Sequence, residues 1–255
     1  MSFEACAALV ERGDPPRFRA AMAAPVAARR VLFPLYAFNL EVARAPWVTS
    51  EPMITEMRLQ WWRDVLDEIA GDGPVRRHEV TEPLADVLDA QGARDLDRLI
   101  AARRWDVYPD AFEDAVHLDD YIDATAGGLM WTGARLLGAE NAESTVRDLA
   151  FGAGVAAFLQ AVPTLEQANR KPLIDGTRDG VAALARRALD RFDRGRAAQR
   201  ELPQVARAAI LPAWQARPLL TMAVRDPGRV ADGALQIGPI ADRLRLARAA
   251  MTGRV

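Results

Sequence analysis

The stretch that decides the fold is residues 36–64, which read YAFNLEVARAPWVTSEPMITEMRLQWWRD. It predicts parts of two consecutive helices. The first runs from about Pro25 to Arg44, and the second begins after a cap at Thr49 or Ser50, with a proline in its first turn. The second helix carries apolar side chains at helical spacing, which we expect to form its buried face: Ile54, Met57, Trp61, Val65 and Ile69.

Helical patterns continue on both sides of this stretch, and no segment alternates apolar and polar residues as a strand would. Asp14, followed by two prolines, is expected to cap a short helix. Asp119 or Asp120 is expected to cap a later helix, and Pro163 to break the apolar helix that starts at Ser144. The other expected helices cover 81–91, 95–105, 177–200, 203–224 and 237–251. The sequence therefore predicts one all-α domain over residues 1–255.

Composition and charge argue against several classes of function, including nucleic-acid binding and membrane spanning. The chain has 255 residues, of which 50% are hydrophobic and 27% charged, as in a globular protein with a substantial core. Its net charge is −2, so no overall positive field favours nucleic acid as a partner. The N-terminus lacks the features of a signal peptide, and the uncharged stretch 149–165 is shorter than the roughly 20 residues of a membrane span. We expect a cytoplasmic protein with at most peripheral contact at the inner membrane.

The YAF block at 36–38 and the RLQWWRD block at 58–64 resemble two blocks of the squalene/phytoene synthase family. The resemblance extends over about residues 19–225. It implies the isoprenoid-synthase fold, an all-α bundle of helices around a central apolar cavity. Enzymes of that family continue after the YAF with an arginine and an aspartate-rich segment that holds magnesium and a diphosphate. Here those positions hold side chains that do not ligate a metal: Leu40, Ala43, Arg44 and Trp47.

A second aspartate-rich motif of the family would lie on the helix at 154–169, which reads GVAAFLQAVPTLEQAN. Gly154 and Ala156 match the family pattern. The polar residues of the motif are replaced: Phe158 stands for its glutamine, Ala161 for its asparagine and Thr164 for its arginine. Leu165 and Asn169 take the places of its two aspartates. Ionising an allylic diphosphate develops charge that metal ions must neutralise. The resemblance thus implies the family fold without its metal sites, and we expect no metal and no other cofactor.

Asp119 and Asp123 are the best substitute for the missing ligands, because carboxylates four residues apart share a helix face. A capping or solvated role explains such acids more simply. If they did hold magnesium, the alternative function would follow: an active prenyl transferase of the phytoene or squalene synthase type, which joins two allylic diphosphates.

Aromatic side chains and glycines cluster in the matching blocks, and they have two interpretations. They form either an ordinary core or the wall of a cavity for a prenyl or acyl chain. Arg58 also matches the family position before the tryptophan pair and is a candidate for meeting a diphosphate. The candidate cavity or binding residues are Tyr36, Phe38, Asn39, Arg58, Trp61, Trp62, Tyr121, Gly128, Trp131, Gly154 and Phe158.

The last predicted helix alternates arginines with apolar residues: Ile240, Arg243, Leu244, Arg245, Arg248 and Met251. This pattern fits either a helix on a membrane surface or a plain amphipathic helix packed on the core, which is the commoner case.

Within the family, a branch without aspartate-rich motifs is most similar: the assembly factors for mitochondrial respiratory complex I. They also have AFN followed by a glutamate, here Ala37–Glu41. The resemblance implies a non-catalytic helper in the biogenesis of NADH dehydrogenase. Its candidate ligand is an isoprenoid or lipid chain, and its candidate partner is a complex I subunit. A lipid carrier with no link to respiration is a further alternative.

Overall fold

The computed structural model describes residues 3–49, 51–71 and 73–255, and within these ranges it contains helices and no strand. The α-helices are α1 Phe3–Gly13, α2 Pro15–Ala23, α3 Val26–Val48, α4 Pro52–Ala70, α5 Thr81–Ala85, α6 Ala90–Arg103, α7 Ala115–Ile122, α8 Gly128–Leu136, α9 Glu143–Gln167, α10 Arg178–Ala198, α11 Ala216–Arg225, α12 Gly228–Ala231 and α13 Pro239–Thr252. Shorter 3₁₀ helices cover Arg104–Val107, Gln199–Glu201 and Ala206–Gln215. A π-helical turn, Asp123–Gly127, joins α7 to α8. The predicted all-α bundle is confirmed.

Helix α9 lies at the centre of the bundle and contacts α8, α10, α11, α12 and the 3₁₀ helix Ala206–Gln215. Its apolar residues are spread around the helix, as in a helix surrounded by other elements. By length and composition alone α9 could cross a membrane, but half of its apolar stretch is buried inside the protein. Buried side chains from α1 to α13 belong to one hydrophobic core.

Helices α3 and α4 form the corner that the opening stretch predicts, but the buried face of α4 differs from the expected one. Ile54 and Met57 are exposed. Trp62 packs edge-on against Phe38 of α3, with ring centroids 5.3 Å apart, and this contact sets the rotation of the helix. The buried residues of α4 are Thr55, Leu59, Trp62, Val65, Leu66 and Ile69.

The predicted helix caps have mixed outcomes. The Asp14 carboxylate accepts a hydrogen bond from the Arg17 backbone N–H at 3.0 Å, which confirms the cap of α2. The residue that precedes α4 is Glu51, so Thr49 is not its cap, and Ser50 lies outside the described residues. Asp114, not Asp119 or Asp120, caps the helix that leads to the π-turn.

Asp114 has an extended backbone and its carboxylate accepts from the His117 N–H at 2.8 Å. Asp119 already lies inside α7, where its own N–H belongs to the helix. The expected break at Pro163 is also wrong, because α9 continues through it to Gln167. A proline removes one helical hydrogen bond without ending the helix when tertiary packing holds the following turn. Leu165 in that turn faces the central cavity described below.

Candidate functional site

A central cavity lies between α2, α3, α8, α9 and α11, and it has two parts. The larger part, which we call the inner chamber, has a volume of about 570 Å³. Small and apolar side chains form most of its wall, including Ala153 and Gly154 of α9, Leu129 and Met130 of α8, and Leu219 of α11. The chamber exists because this face of α9 carries alanine and glycine, whose side chains are too small to fill the space between the helices.

The smaller part, the outer chamber, has a volume of about 310 Å³ and lies nearer the α3–α4 corner. Its wall includes Asn39 of α3, Tyr121 of α7 and Phe158 of α9. The two chambers are adjacent, since they share wall residues: Arg17, Ala126, Gly154, Ala157 and Ala161.

The positions at which the family would carry metal ligands face each other across the outer chamber. Ala43 and Trp47 of α3, at aspartate positions of the family pattern, form one side. The other side is formed on α9 by Leu165, at a third aspartate position, and by Ala161, at the asparagine position. None of these side chains has an oxygen or nitrogen suited to Mg²⁺. Within the described residues there is no group of three or more His, Cys, Asp or Glu side chains that could hold a metal ion. The residues of this wall do not fit a metal ion.

Arg103 neutralises Asp106, the acid among the described residues that line the outer chamber. The Asp106 carboxylate accepts from the Arg103 guanidinium at 2.9 Å and from the Tyr121 hydroxyl at 2.9 and 3.0 Å. Arg103 also donates to the Tyr121 oxygen at 2.6 Å. Burial raises the pKa of Tyr121, so its hydroxyl stays protonated and remains a donor. Burial lowers the pKa of Arg103, but the neighbouring Tyr121 and Asp106 outweigh it and raise the pKa overall.

The inner chamber has a similar arrangement on the side of the α1–α2 junction. The Arg17 guanidinium forms an ion pair with Asp14 and lies 5.8 Å from the centre of the Tyr36 ring. Tyr36 is buried, and that burial raises the pKa of its hydroxyl. Among the residues that line the two chambers, the acids are Asp14 and Asp106, and each has its own arginine. No net negative charge is left to attract a divalent cation.

Trp47 marks the mouth of the outer chamber, since it lines the chamber and its ring is half exposed. The Arg170 guanidinium lies 5.1 Å from the centre of this ring. Arg170 also donates hydrogen bonds to the backbone oxygens of Tyr108, at 3.1 Å, and of Asp106. The arginine thus ties the end of α9 to the loop that follows α6 and fixes one side of the opening.

The carboxylates considered as substitute ligands form ion pairs away from the chambers. Asp119 pairs with Arg187 at 2.7 Å, and Asp123 pairs with Arg147 at 2.9 Å. Burial raises the pKa of Asp119, and Arg187 opposes that rise only in part. Neither residue is part of the wall of either chamber. They are therefore poorly placed to act on a molecule in the cavity.

The predicted binding residues fall into two groups. Tyr36, Asn39, Tyr121, Gly154 and Phe158 line the chambers. The others lie outside the chamber walls, and their binding role stays a prediction. Phe38, Trp62 and Trp131 are buried in the core, Trp61 is half-buried beneath Arg76, Arg58 is exposed, and Gly128 faces a separate crevice beside Asp95.

Sequence reasoning missed Arg17, Arg103 and Asp106, which supply the charged part of the chamber walls. Arginine is so frequent in this chain that no single one stands out. The three-residue spacing of Arg103 and Asp106 was the available signal, because side chains at that distance meet on a helical surface.

Residues 10–174 match the profile of the squalene/phytoene synthase family. Solved structures share the fold. A dehydrosqualene synthase in complex with ligand superposes with a TM-score of 0.80 at 15% identity, covering 98% of this chain and 95% of that one. The squalene synthase HpnC from Alicyclobacillus acidocaldarius gives 0.71 at 20% identity, covering 88% and 93%. At these identities the likeness concerns the fold.

Curated relatives carry a different name. The Drosophila melanogaster protein named NADH dehydrogenase (ubiquinone) complex I, assembly factor 6 homolog is 31% identical over 170 residues, which is 62% of this chain and 50% of the relative. The Bos taurus and Homo sapiens proteins named assembly factor 6 are 26% and 24% identical over 172 residues, again 62% of this chain and 48% of each relative. The chain spans about half the length of these relatives.

Proposed function

We propose that this chain, which belongs to the squalene/phytoene synthase family, is a non-catalytic member that acts as an assembly factor for respiratory complex I. The observation that carries the proposal is the outer chamber. Its wall holds Ala43, Trp47 and Leu165 where the resemblance places aspartates, and Arg103 neutralises its acid, Asp106. Relatives named as complex I assembly factors support the same role.

The cavity itself has kept a volume suited to a ligand. The inner chamber lies within the range of about 300–1,000 Å³ that is usual for small-molecule sites, and its wall is largely apolar. An empty apolar space of this size costs packing energy. We therefore propose that it binds an isoprenoid or lipid chain, whose apolar part would lie along α9, and leaves that chain chemically unchanged.

The α3–α4 corner is our candidate surface for a protein partner. Trp47, Val48, Met53, Ile54 and Met57 are 47–75% exposed there, within a short stretch of sequence. Apolar groups concentrated in this way usually mark an interaction site. The corner also lies at the mouth of the outer chamber, because Trp47 belongs to both. A complex I subunit that docks here would cover the opening of the cavity.

The assembly role is tested by deleting the gene in its host and measuring the amount of assembled complex I on native gels. We expect a fall in complex I content that the wild-type gene restores. A gene with Met53→Glu and Met57→Glu should fail to restore it, because two carboxylates would disrupt an apolar contact. The matched control is Val26→Glu with Val116→Glu, which adds two carboxylates at exposed apolar positions elsewhere.

Both variant proteins should have the wild-type melting temperature, since all four side chains are exposed. Unchanged complex I in the deletion strain would remove the assembly role. Restoration by the Met53/Met57 variant would remove the corner as the docking surface and leave the assembly role standing. Native mass spectrometry of the purified protein tests the ligand separately, since a retained chain would add its own mass.

A further inference from the structure

Helix α13 has one face packed on the protein and an opposite face that is largely apolar and fully accessible. Leu246 and Ala249 are buried, whereas Ile240, Leu244 and Met251 are 77%, 66% and 81% exposed. Ala247 lies between them on the same exposed face. Residues at this spacing form one continuous stripe along a helix. The stripe is unusual because such large apolar side chains are normally covered.

Arginines flank the stripe, and their side chains form no ion pair or hydrogen bond within the part of the chain that the structure describes. These are Arg243, Arg245 and Arg248 on the helix and Arg254 just beyond it. The only acidic residue of α13 is Asp242, and it is buried. The outward face of the helix is therefore apolar and cationic, without a carboxylate of its own.

Asp242 fixes the orientation of this helix. Its carboxylate accepts from the Arg19 guanidinium at 2.7 Å, the Trp214 Nε1–H at 2.7 Å and the Gln215 amide at 2.6 Å. Burial works against its ionisation, but these donors outweigh burial and hold its pKa below the usual value. Since Gln215 also lines the inner chamber, α13 is attached directly to the wall of the cavity. The outward face is held rigidly away from the core.

We propose that the outward face of α13 lies flat on an anionic phospholipid bilayer. The apolar stripe would enter the boundary between headgroups and acyl chains, and the arginines would meet the lipid phosphates. Charge complementarity selects this occupant. A second copy of the chain docked through the same face would place arginines against arginines. The α3–α4 corner, in contrast, carries charges of both signs, including Glu51 and Arg58, and suits a protein surface better.

The direct test is flotation of the full chain with vesicles of neutral phosphatidylcholine, or with vesicles that also contain about one third phosphatidylglycerol. We expect binding to the anionic vesicles only, weakened by salt. The variant R243Q/R245Q/R248Q should bind them about 100-fold more weakly, because each arginine contributes roughly fivefold. The control R77Q/R94Q/R186Q removes the same charge from other exposed positions and should bind nearly as the wild type.

A fluorescent label gives a second measurement that does not depend on the charge variants. Cys6 is buried, and burial raises the pKa of its thiol to about 11, so an introduced cysteine can be labelled selectively. An environment-sensitive dye on Leu244→Cys should shift to the blue when anionic vesicles are added, and the same dye on Arg94→Cys should not. The proposal is overturned if the dye shifts equally at the two cysteine positions, or if the two arginine variants lose vesicle binding equally. It is also overturned if the chain binds an acidic protein but not the vesicles.

Discussion

The two chambers of the cavity differ in what the family fold has kept and what it has lost. The inner chamber keeps an apolar wall of small side chains along α9, centred on Ala153 and Gly154. The outer chamber has Ala43 and Leu165 in its wall, where the resemblance places metal ligands. Space for a chain and control of charge are therefore separable properties of this fold. The proposed function combines an outer chamber that cannot ionise a diphosphate with an inner chamber that holds an apolar chain.

The largest effect should come from Trp62, because it supports both chambers at once. It is 4% exposed and packs on Phe38 of α3, the helix that gives Tyr36 to the inner chamber and Asn39 to the outer one. Trp62→Ala should lower the free energy of unfolding by about 3–5 kcal/mol. Chemical denaturation measures this.

Trp61→Ala is the matched control for that variant. Trp61 is half-buried beneath Arg76, so its loss should cost clearly less, about 1–2 kcal/mol. Equal losses for the two tryptophans would show that the corner is packed differently from this account.

The second largest effect on stability should come from Asp106, which lines the outer chamber and not the inner one. Asp106→Ala removes the acid of the outer chamber and leaves the Arg103 guanidinium without its ion pair. Their side chains are 17% and 23% exposed. The loss of stability should therefore be about 2–3 kcal/mol, below the 3–5 kcal/mol of a fully buried pair. Thermal unfolding with a calorimeter measures it.

Double replacement tests the reason for that loss. In Asp106→Ala with Arg103→Met, no buried charge is left unpaired, so much of the stability should return. A double variant that is no more stable than Asp106→Ala would contradict the role of this pair in neutralising the chamber.

Sequence reasoning reached the fold and the vacated metal positions because both depend on local pattern. Spacing of apolar residues predicted the helices, and the family resemblance implied that Ala43 and Leu165 stand at metal-ligand positions without a ligand. The face of α4 could not be predicted, since Met57–Trp61 and Leu59–Trp62 are both apolar pairs at helical spacing. The contact with Phe38, distant in sequence, decides between them.

The charged residues of the cavity walls could not be predicted from the sequence for a related reason. Arg17 and Arg103 come from elements far apart in the chain, and only the folded bundle brings them to the same outer chamber. Caps were uncertain because several aspartates precede the same helix. Asp114 is the cap since its backbone is extended there and its carboxylate reaches the His117 N–H.

Replacing an alanine by leucine in one chamber at a time should have a smaller effect on stability. It should have a clear effect on the binding of an apolar chain. Ala153 lines only the inner chamber and Ala43 only the outer one, so leucine adds the same volume to either. Each change should alter stability by no more than about 1 kcal/mol, because the new side chain enters existing space.

Binding of the chain should distinguish the two leucine variants. Each displaced CH₂ of a bound chain costs about 0.8 kcal/mol, so Ala153→Leu should weaken binding about tenfold or more. Ala43→Leu should change it little. The amount of chain retained in native mass spectra gives the comparison, and a reversed order would move the binding site to the outer chamber.

The smallest expected effect is that of magnesium. A ligand that binds only the folded state, at a concentration of about 100 times its dissociation constant, raises the free energy of unfolding by about 2.7 kcal/mol. This shifts the melting temperature of a protein of this size by several degrees. With no ligand set in either chamber, 10 mM MgCl₂ with inorganic diphosphate should shift it by less than about 1 °C. A saturable rise of several degrees would reveal a metal site.

The most direct test of the central claim is to incubate the purified protein with farnesyl or geranylgeranyl diphosphate and Mg²⁺ and to measure the inorganic diphosphate released. A cavity that holds Ala43, Trp47 and Leu165 in place of the family's aspartates should release none above the rate without protein. Repeated turnover, many diphosphates released per protein molecule, would contradict the account and show that the fold still ionises its ligand.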